Sequence, residues 1–216
     1  MIEKIICGPL ATNTYLYIDD ISGESAIVDP AYPDKKLFDA IKHQKLKYIF
    51  ITHGHIDHIY AAAEIKRITG AKLVAHLLEN ERLKKGSENL FDTFHSLYAS
   101  ENIYVDDYIP VEIDMAVDTG DVITLGKTIF TVLHTPGHTN GSVSFLTERE
   151  IFCGDTLFEG SYGRTDFATG NFSEMVDTYK RLCSLDGDYI IYPGHQNTTT
   201  LRNEREFNPL RAYLYN

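Results

Sequence analysis

Residues 52–58 read THGHIDH, three histidines and an aspartate within seven positions. Imidazole and carboxylate at this density, with no thiolate among them, form a donor set suited to zinc, iron or manganese. The flanks are apolar, Ile49-Phe50-Ile51 before and Ile59-Tyr60-Ala61-Ala62-Ala63 after. The run therefore lies where an apolar strand ends and an apolar-faced helix begins, where a rigid scaffold can hold reactive groups. Three later stretches repeat the form of strand, glycine, then one potential ligand: VLHTPGHT offers His138, IFCGDT offers Asp155 and IYPGHQ offers His195. Glycine ahead of each ligand lets the backbone approach another group closely. Seven candidate ligands emerge, His53, His55, Asp57, His58, His138, Asp155 and His195. They are too many for one tetrahedral ion and suffice for two ions that share a bridging carboxylate. His53 and His55, two apart in an extended loop, can face one metal, while Asp57 and His58 at the helix start turn towards a second.

The elements around these residues follow from apolar periodicity. Short runs at Ile2 to Ile6, Thr14 to Ile18 and Ser25 to Val28, parted by Asp19-Asp20 and Ser22-Gly23, predict a small antiparallel meander. PDKKLFDAIKHQ carries Leu37, Phe38 and Ile41 at helical spacing, with Pro33 suited to a first turn. KYIFI reads as a strand buried on both faces and leads into the histidine run. Ala61, Ile65 and Ile68 mark one face of a helix that stops at Gly70. KLVAH, TIFTVLH, SVSFL, EIFCG and DYIIYPGH read as strands. A helix carrying Met175, Val176, Tyr179, Leu182 and Cys183 on one side starts at Ser173, the expected N-cap. Residues 77–120 read weakly, as two helical stretches and an acid-rich segment around Asp106-Asp107, and the basic run Arg82-Leu83-Lys84-Lys85 reads as the solvated face of a short helix. Strands bracketing helices twice, with no long linker, predict one α/β domain over residues 1–216, two sheets covered by helices.

Composition narrows the function. A net charge of -11 argues against a nucleic acid partner, which needs clustered Lys and Arg. Cys7, Cys153 and Cys183 lie far apart with no CxxC pair, the usage of a reducing compartment, and no segment has the length of a membrane span. The expectation is a cytoplasmic protein with no membrane partner.

THGHIDH, followed in order by PGH, GD and a late PGH, resembles the metallo-β-lactamase superfamily over nearly the whole chain. The resemblance implies a four-layer αββα sandwich with a site at one edge of the paired sheets. It implies that His53, His55 and His138 ligate the first metal, that Asp57, His58 and His195 ligate the second, and that Asp155 bridges. Two divalent ions follow, zinc by default and iron or manganese as alternatives. GDTLFEGSYGRTDFATG and the tail PGHQNTTTLRNEREFNPL are similar to short glyoxalase II-like hydrolases. GRTDF is also similar to the persulfide dioxygenases of this fold, whose single iron is held by residues matching His53, His138 and Asp155. Full-length glyoxalase II continues into a helical C-terminal domain that helps bind glutathione, whereas the sequence here runs to Asn216. The expected substrate is therefore a small thioester, with its thiol left open.

That chemistry suits the residues. A metal lowers the pKa of bound water from about 16 to about 7, so a bridging hydroxide is available, held in line by Asp57, while a metal supports the oxyanion and a thiolate leaves without a dedicated acid. Arg164 and Tyr162 are candidates for substrate contact; the alternative for Arg164 is a pair with Asp166 that braces its loop. His134 and His76 read as strand histidines, His43 and His95 as surface residues, and Cys153 as a buried, inert thiol inside IFC. The alternatives are the dioxygenase, a phosphodiesterase or RNA-processing nuclease sharing HxHxDH, and a non-enzymatic metal-binding scaffold. Tyr213 and Tyr215 read as an interface or as part of the core.

Overall fold

The structure, a computed structural model, describes residues 1–100 and 107–214. Asp106 of the acid-rich segment and Tyr215 lie outside the described residues. The meander forms as expected: β1 (Ile2–Cys7), β2 (Thr12–Ile18) and β3 (Glu24–Val28) pair antiparallel in sequence order. The chain then crosses through α1 (Lys35–Ile41) to β4 (Lys45–Phe50), which lies parallel to β3. The helices α2 (Ile56–Ile59) and α3 (Ala62–Thr69) lead to β5 (Lys72–His76), again parallel. After a 3-10 turn at Leu77–Glu79 come α4 (Asn80–Lys84) and α5 (Phe91–Ser100), and β6 (Met115–Val117) closes a six-stranded sheet in order β1 to β6. Gly70 ends α3 in the left-handed conformation (φ 68°), as glycine permits without strain.

The second half builds β7 (Val122–Leu125), β8 (Thr128–His134), β9 (Val143–Leu146) and β10 (Glu150–Gly154), then the ribbon β11 (Leu157–Phe158) and β12 (Ser161–Tyr162). Helix α6 (Phe172–Cys183), β13 (Ile190–Pro193), β14 (Thr199–Thr200), α7 (Leu201–Phe207) and a 3-10 turn at Pro209–Tyr213 complete it. This sheet runs β14-β13-β10-β9-β8-β7, with β10 and β13 parallel.

Strand alternation explains the layering. Successive side chains of a strand point to opposite faces, so Ile27, Ile49 and Leu73 of β3, β4 and β5 bury against the helices, while Ala26, Phe50 and Val74 bury against the other sheet. Between the sheets Phe50 stacks on Phe145 at 4.5 Å. On the far face of the second sheet, Ile151 and Ile191 pack with Met175, Tyr179 and Leu182 of α6 and Leu201 of α7. Three apolar clusters thus fill the three interfaces of an αββα sandwich, the expected fold.

Three local expectations differ. Helix α6 starts one residue earlier, and its N-cap is Asn171, whose side chain accepts from the backbone N–H of Ser173 and Glu174; Ser173 lies inside the helix. Ile68 is largely exposed, so α3 buries Ala62 and Ile65. Arg82 is buried rather than solvated, because the interior carboxylate of Glu79 pairs with it. Among the described residues no helix is long and apolar enough to cross a membrane.

Candidate metal centre

Each candidate ligand follows the end of a strand. β4 runs into His53 and His55, α2 carries Asp57 and His58, the β8–β9 loop carries His138, β10 runs into Asp155, and β13 into His195. The two sheets are joined at this edge by Asn13, whose backbone N–H donates to the Gly194 carbonyl (2.7 Å) and whose side chain donates to that of Pro193 (2.9 Å). The approach is close: a Cβ on Gly194 would lie 2.3 Å from Asp155 Oδ1 and 2.5 Å from His58 Cε1. Glycine is required there by space.

All seven candidates converge. His53, His55 and His138 form one group, with rings nearly perpendicular and centroids 4.7 to 4.8 Å apart. His138 Nε2 lies 2.9 Å from His55 Nδ1. Asp57, His58 and His195 form a second group, in which Asp57 Oδ2 lies 3.2 Å from His195 Nε2 and 3.6 Å from His58 Nε2. Asp155 sits between the groups: Oδ1 is 3.4 Å from His58 Nε2, and Oδ2 is 3.6 Å from both His138 Nε2 and His195 Nε2. Each group can hold one ion, with Asp155 reaching both.

Outside the candidate ligands, Asp29 governs the rings. It accepts from the Thr52 backbone N–H through Oδ1 (2.8 Å), and through Oδ2 from the Thr52 hydroxyl (2.6 Å) and His58 Nδ1–H (2.9 Å). With its proton given to Asp29, the Thr52 oxygen accepts from His53 Nδ1–H at 3.2 Å. One buried carboxylate thus fixes a proton on Nδ1 of both imidazoles and aims both Nε2 atoms inward. His138 Nδ1 likewise donates to the Arg164 carbonyl at 2.7 Å. The result tests the fit of a metal directly. His53 Nε2, His58 Nε2 and Asp155 Oδ1 are buried and have no hydrogen-bond partner. Buried polar atoms are rarely left so, and cations held by the two groups would satisfy all three.

Electrostatics agree. Burial, then the neighbouring imidazoles, holds His53 well below its ordinary value and lowers His55 to about 3, so both remain neutral electron-pair donors. Burial raises the carboxyls of Asp57 and Asp155, but His58 and the other facing histidines outweigh it, and both lie below the usual range. Burial likewise lowers His58 and His195, and the facing carboxylates outweigh it and hold both high. The carboxylates attract positive charge to the place where the orphaned atoms point.

A second buried device joins the two histidine loops. Glu79, with 0% exposure, accepts from the Gly54 N–H (2.8 Å) and Arg82 Nη1 (2.9 Å) through one oxygen and from the Thr139 hydroxyl (2.6 Å) through the other. Gly54 lies between His53 and His55, and Thr139 follows His138. Arg82 continues to Asn140 Oδ1 (3.1 Å) and to the Thr169 hydroxyl.

The groups open into a cleft of about 450 Å³ that Tyr162, Arg164, Phe158 and Phe167 also line. Arg164 donates to Asp166 through Nε and Nη2, both at 2.6 Å, and lies 4.2 Å over the Phe167 ring. His76 and His134 lie apart from the cleft's lining, stacked on each other at 4.4 Å. Cys153 is buried and its thiol is pushed up to about 12 by burial. Asp29, Thr52 and Glu79 escaped the sequence reading, which placed Arg82 on a solvated face. Asp29 had a signal, since AIVD ends an apolar strand in a carboxylate as IFCGD does; Glu79 and Arg82 lie in a helical stretch with none.

The fold is thus a paired-sheet sandwich bearing at one edge a three-histidine group and a histidine-carboxylate group. The profile of the metallo-beta-lactamase superfamily matches residues 7–195, and the chain belongs to that superfamily. It is 37% identical to an uncharacterized protein of Aquifex aeolicus, covering 100% of both chains. It is 33% identical to the hydroxyacylglutathione hydrolase GloC of Haemophilus influenzae, covering 96% of each. Among solved structures it is similar to the BLEG-1 B3 metallo-beta-lactamase (29% identity, TM-score 0.84, 100% of both chains). It is also similar to TTHA1623 in a di-iron-bound form (27% identity, TM-score 0.78, 96% of this chain and 98% of that one).

Proposed function

We propose that the chain is a dinuclear metal-dependent hydrolase of a small thioester. One observation carries the reading: His53 Nε2, His58 Nε2 and Asp155 Oδ1 are orphaned together at the junction of two three-residue donor groups. The similarity to GloC supports the thioester, and the imidazole-carboxylate donor set supports zinc, iron or manganese, with zinc the default. Two such ions, when bound, acidify water and polarise a carbonyl. His53, His55 and His138 would hold one and Asp57, His58 and His195 the other, with Asp155 placed between the groups. Asp57 lines the cleft and accepts a hydrogen bond from the Thr12 hydroxyl at 3.3 Å, which steadies the carboxylate that orients the attacking water. A thiolate needs no proton to depart, in keeping with a cleft whose carboxyls are held ionised. A cytoplasmic setting, without nucleic acid partners, is part of the proposal, supported by three free cysteines and the acidic charge.

The test is metal content per chain by elemental analysis, together with hydrolysis of S-lactoylglutathione and simpler thioesters. About two equivalents of metal with thiol release is the expected result; metal-replete protein inert on every thioester refutes the reading. The second reading, a dioxygenase with one iron on His53, His138 and Asp155, draws on the 3.6 Å approach of His138 to Asp155. Asp57→Ala separates the two, since the hydrolase loses most activity and its second metal while the dioxygenase keeps its iron.

A further inference from the structure

Beside the main cleft runs a narrow apolar slot. It is lined by Leu10, Tyr32, Tyr60, Phe91 and Phe94, and Asp57 also lines it. Leu10, Asp57 and Phe94 line both spaces, so the slot opens next to the residue that orients water. Its free volume is about 20 Å³ against about 450 Å³ for the cleft, so it is far narrower. Such a shape suits a straight chain rather than a ring or a branched group.

The charge of the surroundings points the same way. Arg164 is the one Lys or Arg that lines either space among the described residues, and its Nε/Nη2 edge is paired with Asp166. Lys4 lies outside both linings and donates to the Gln196 carbonyl at 2.6 Å. Residues 101–106 and 215–216 contain no Lys or Arg. A thiol bearing carboxylates, as glutathione does, meets here no Lys or Arg other than Arg164, which is already paired with Asp166.

We propose that the slot is the acyl pocket, and that the substrates are thioesters of short, unbranched, uncharged acyl groups, acetyl to butanoyl, on an uncharged thiol. With the carbonyl at the metal groups, the acyl chain enters between Leu10 and Phe94 and the thiol lies towards Tyr162 in the open cleft. Hydrolysis adds water across the bond, giving the carboxylic acid and the free thiol, and needs no other reactant. The inference rests on the hydrolase reading and goes beyond it by naming the substrate class.

The experiment compares acetyl- and butanoyl-N-acetylcysteamine with S-lactoylglutathione, following thiol release by metal-replete protein. Each buried methylene contributes about 0.8 kcal/mol, so two raise kcat/KM about fifteenfold from acetyl to butanoyl. The butanoyl value is also expected to exceed that for S-lactoylglutathione. Phe94→Asp should abolish the butanoyl advantage through KM with metal content at the wild-type level, and Phe94→Leu should retain it. Leu10→Asp, in a half-buried loop, repeats the test from the opposite wall. Faster turnover of S-lactoylglutathione, or a butanoyl advantage indifferent to both walls, overturns the acyl pocket and leaves the hydrolase standing. No thiol release from any of the three overturns both.

Discussion

Asp29→Asn isolates the role of the carboxylate behind the histidines, because it removes the charge and one acceptor with almost no change of shape. Asp29 accepts three hydrogen bonds, two from Thr52 and one from His58. An amide offers one oxygen. If that oxygen keeps the Thr52 N–H, the amide NH2 faces His58 Nδ1 and the Thr52 hydroxyl. His58 must then accept on Nδ1 and carry its proton on Nε2, the atom aimed at Asp155. The Thr52 hydroxyl, now accepting, donates onward and turns His53 the same way. Both inward lone pairs are lost, and a metal recovers them only by breaking buried hydrogen bonds. Losing such an outer partner typically costs 10- to 100-fold in metal affinity, or about 1.4–2.8 kcal/mol. The loss should be larger for the group containing His58, which Asp29 touches directly, than for that containing His53, reached through Thr52. If the amide turns the other way, a donor faces the buried Thr52 N–H, and the metal-free fold loses about 1–3 kcal/mol instead. The assay is release of metal to chelators of graded strength, with urea unfolding of the metal-free protein alongside. Affinity for both ions within about threefold of wild type, with unchanged metal-free stability, refutes the assignment of Asp29 as the group that sets the tautomers.

Glu79→Gln leaves the Arg82 charge buried without its partner, so urea unfolding should show a loss of about 3–5 kcal/mol; a change below about 1 kcal/mol would show that the pair does not hold the loops together. Gly194→Ala places a methyl group where Asp155 Oδ1 and His58 Cε1 already lie. The chain should still fold by circular dichroism yet bind one metal where the parent binds two, and two metals in the variant would contradict the close packing. Because burial lifts the Cys153 thiol to about 12, it is protonated throughout the physiological range. At pH 8 a thiol-specific disulfide reagent should therefore leave Cys153 unlabelled in the native protein and label all three cysteines in guanidinium, and rapid native labelling of Cys153 counts against its burial.

What could be read from the sequence, and what could not, follows from the range of each cause. The convergence of the candidate ligands was legible because strand alternation and glycine act locally: an apolar run followed by glycine and a histidine or aspartate announces a strand end with a close approach. The layers were legible for the same reason, since Ile27 and Ile49 must face opposite to Ala26 and Phe50. Arg82 misled because its surroundings in sequence, Lys84 and Lys85, are solvated, while its partners Glu79, Asn140 and Thr169 are brought in by the fold. Asn171 against Ser173 is a contest of two good capping residues that local preference does not decide; a β-region backbone at Asn171 lets its oxygen reach two amides. Asp29 stands between these cases. Its place after a strand is local, yet its work is done on His58, 29 residues on, so only the folded chain distinguishes a carboxylate that holds an ion from one that aims the imidazole holding it.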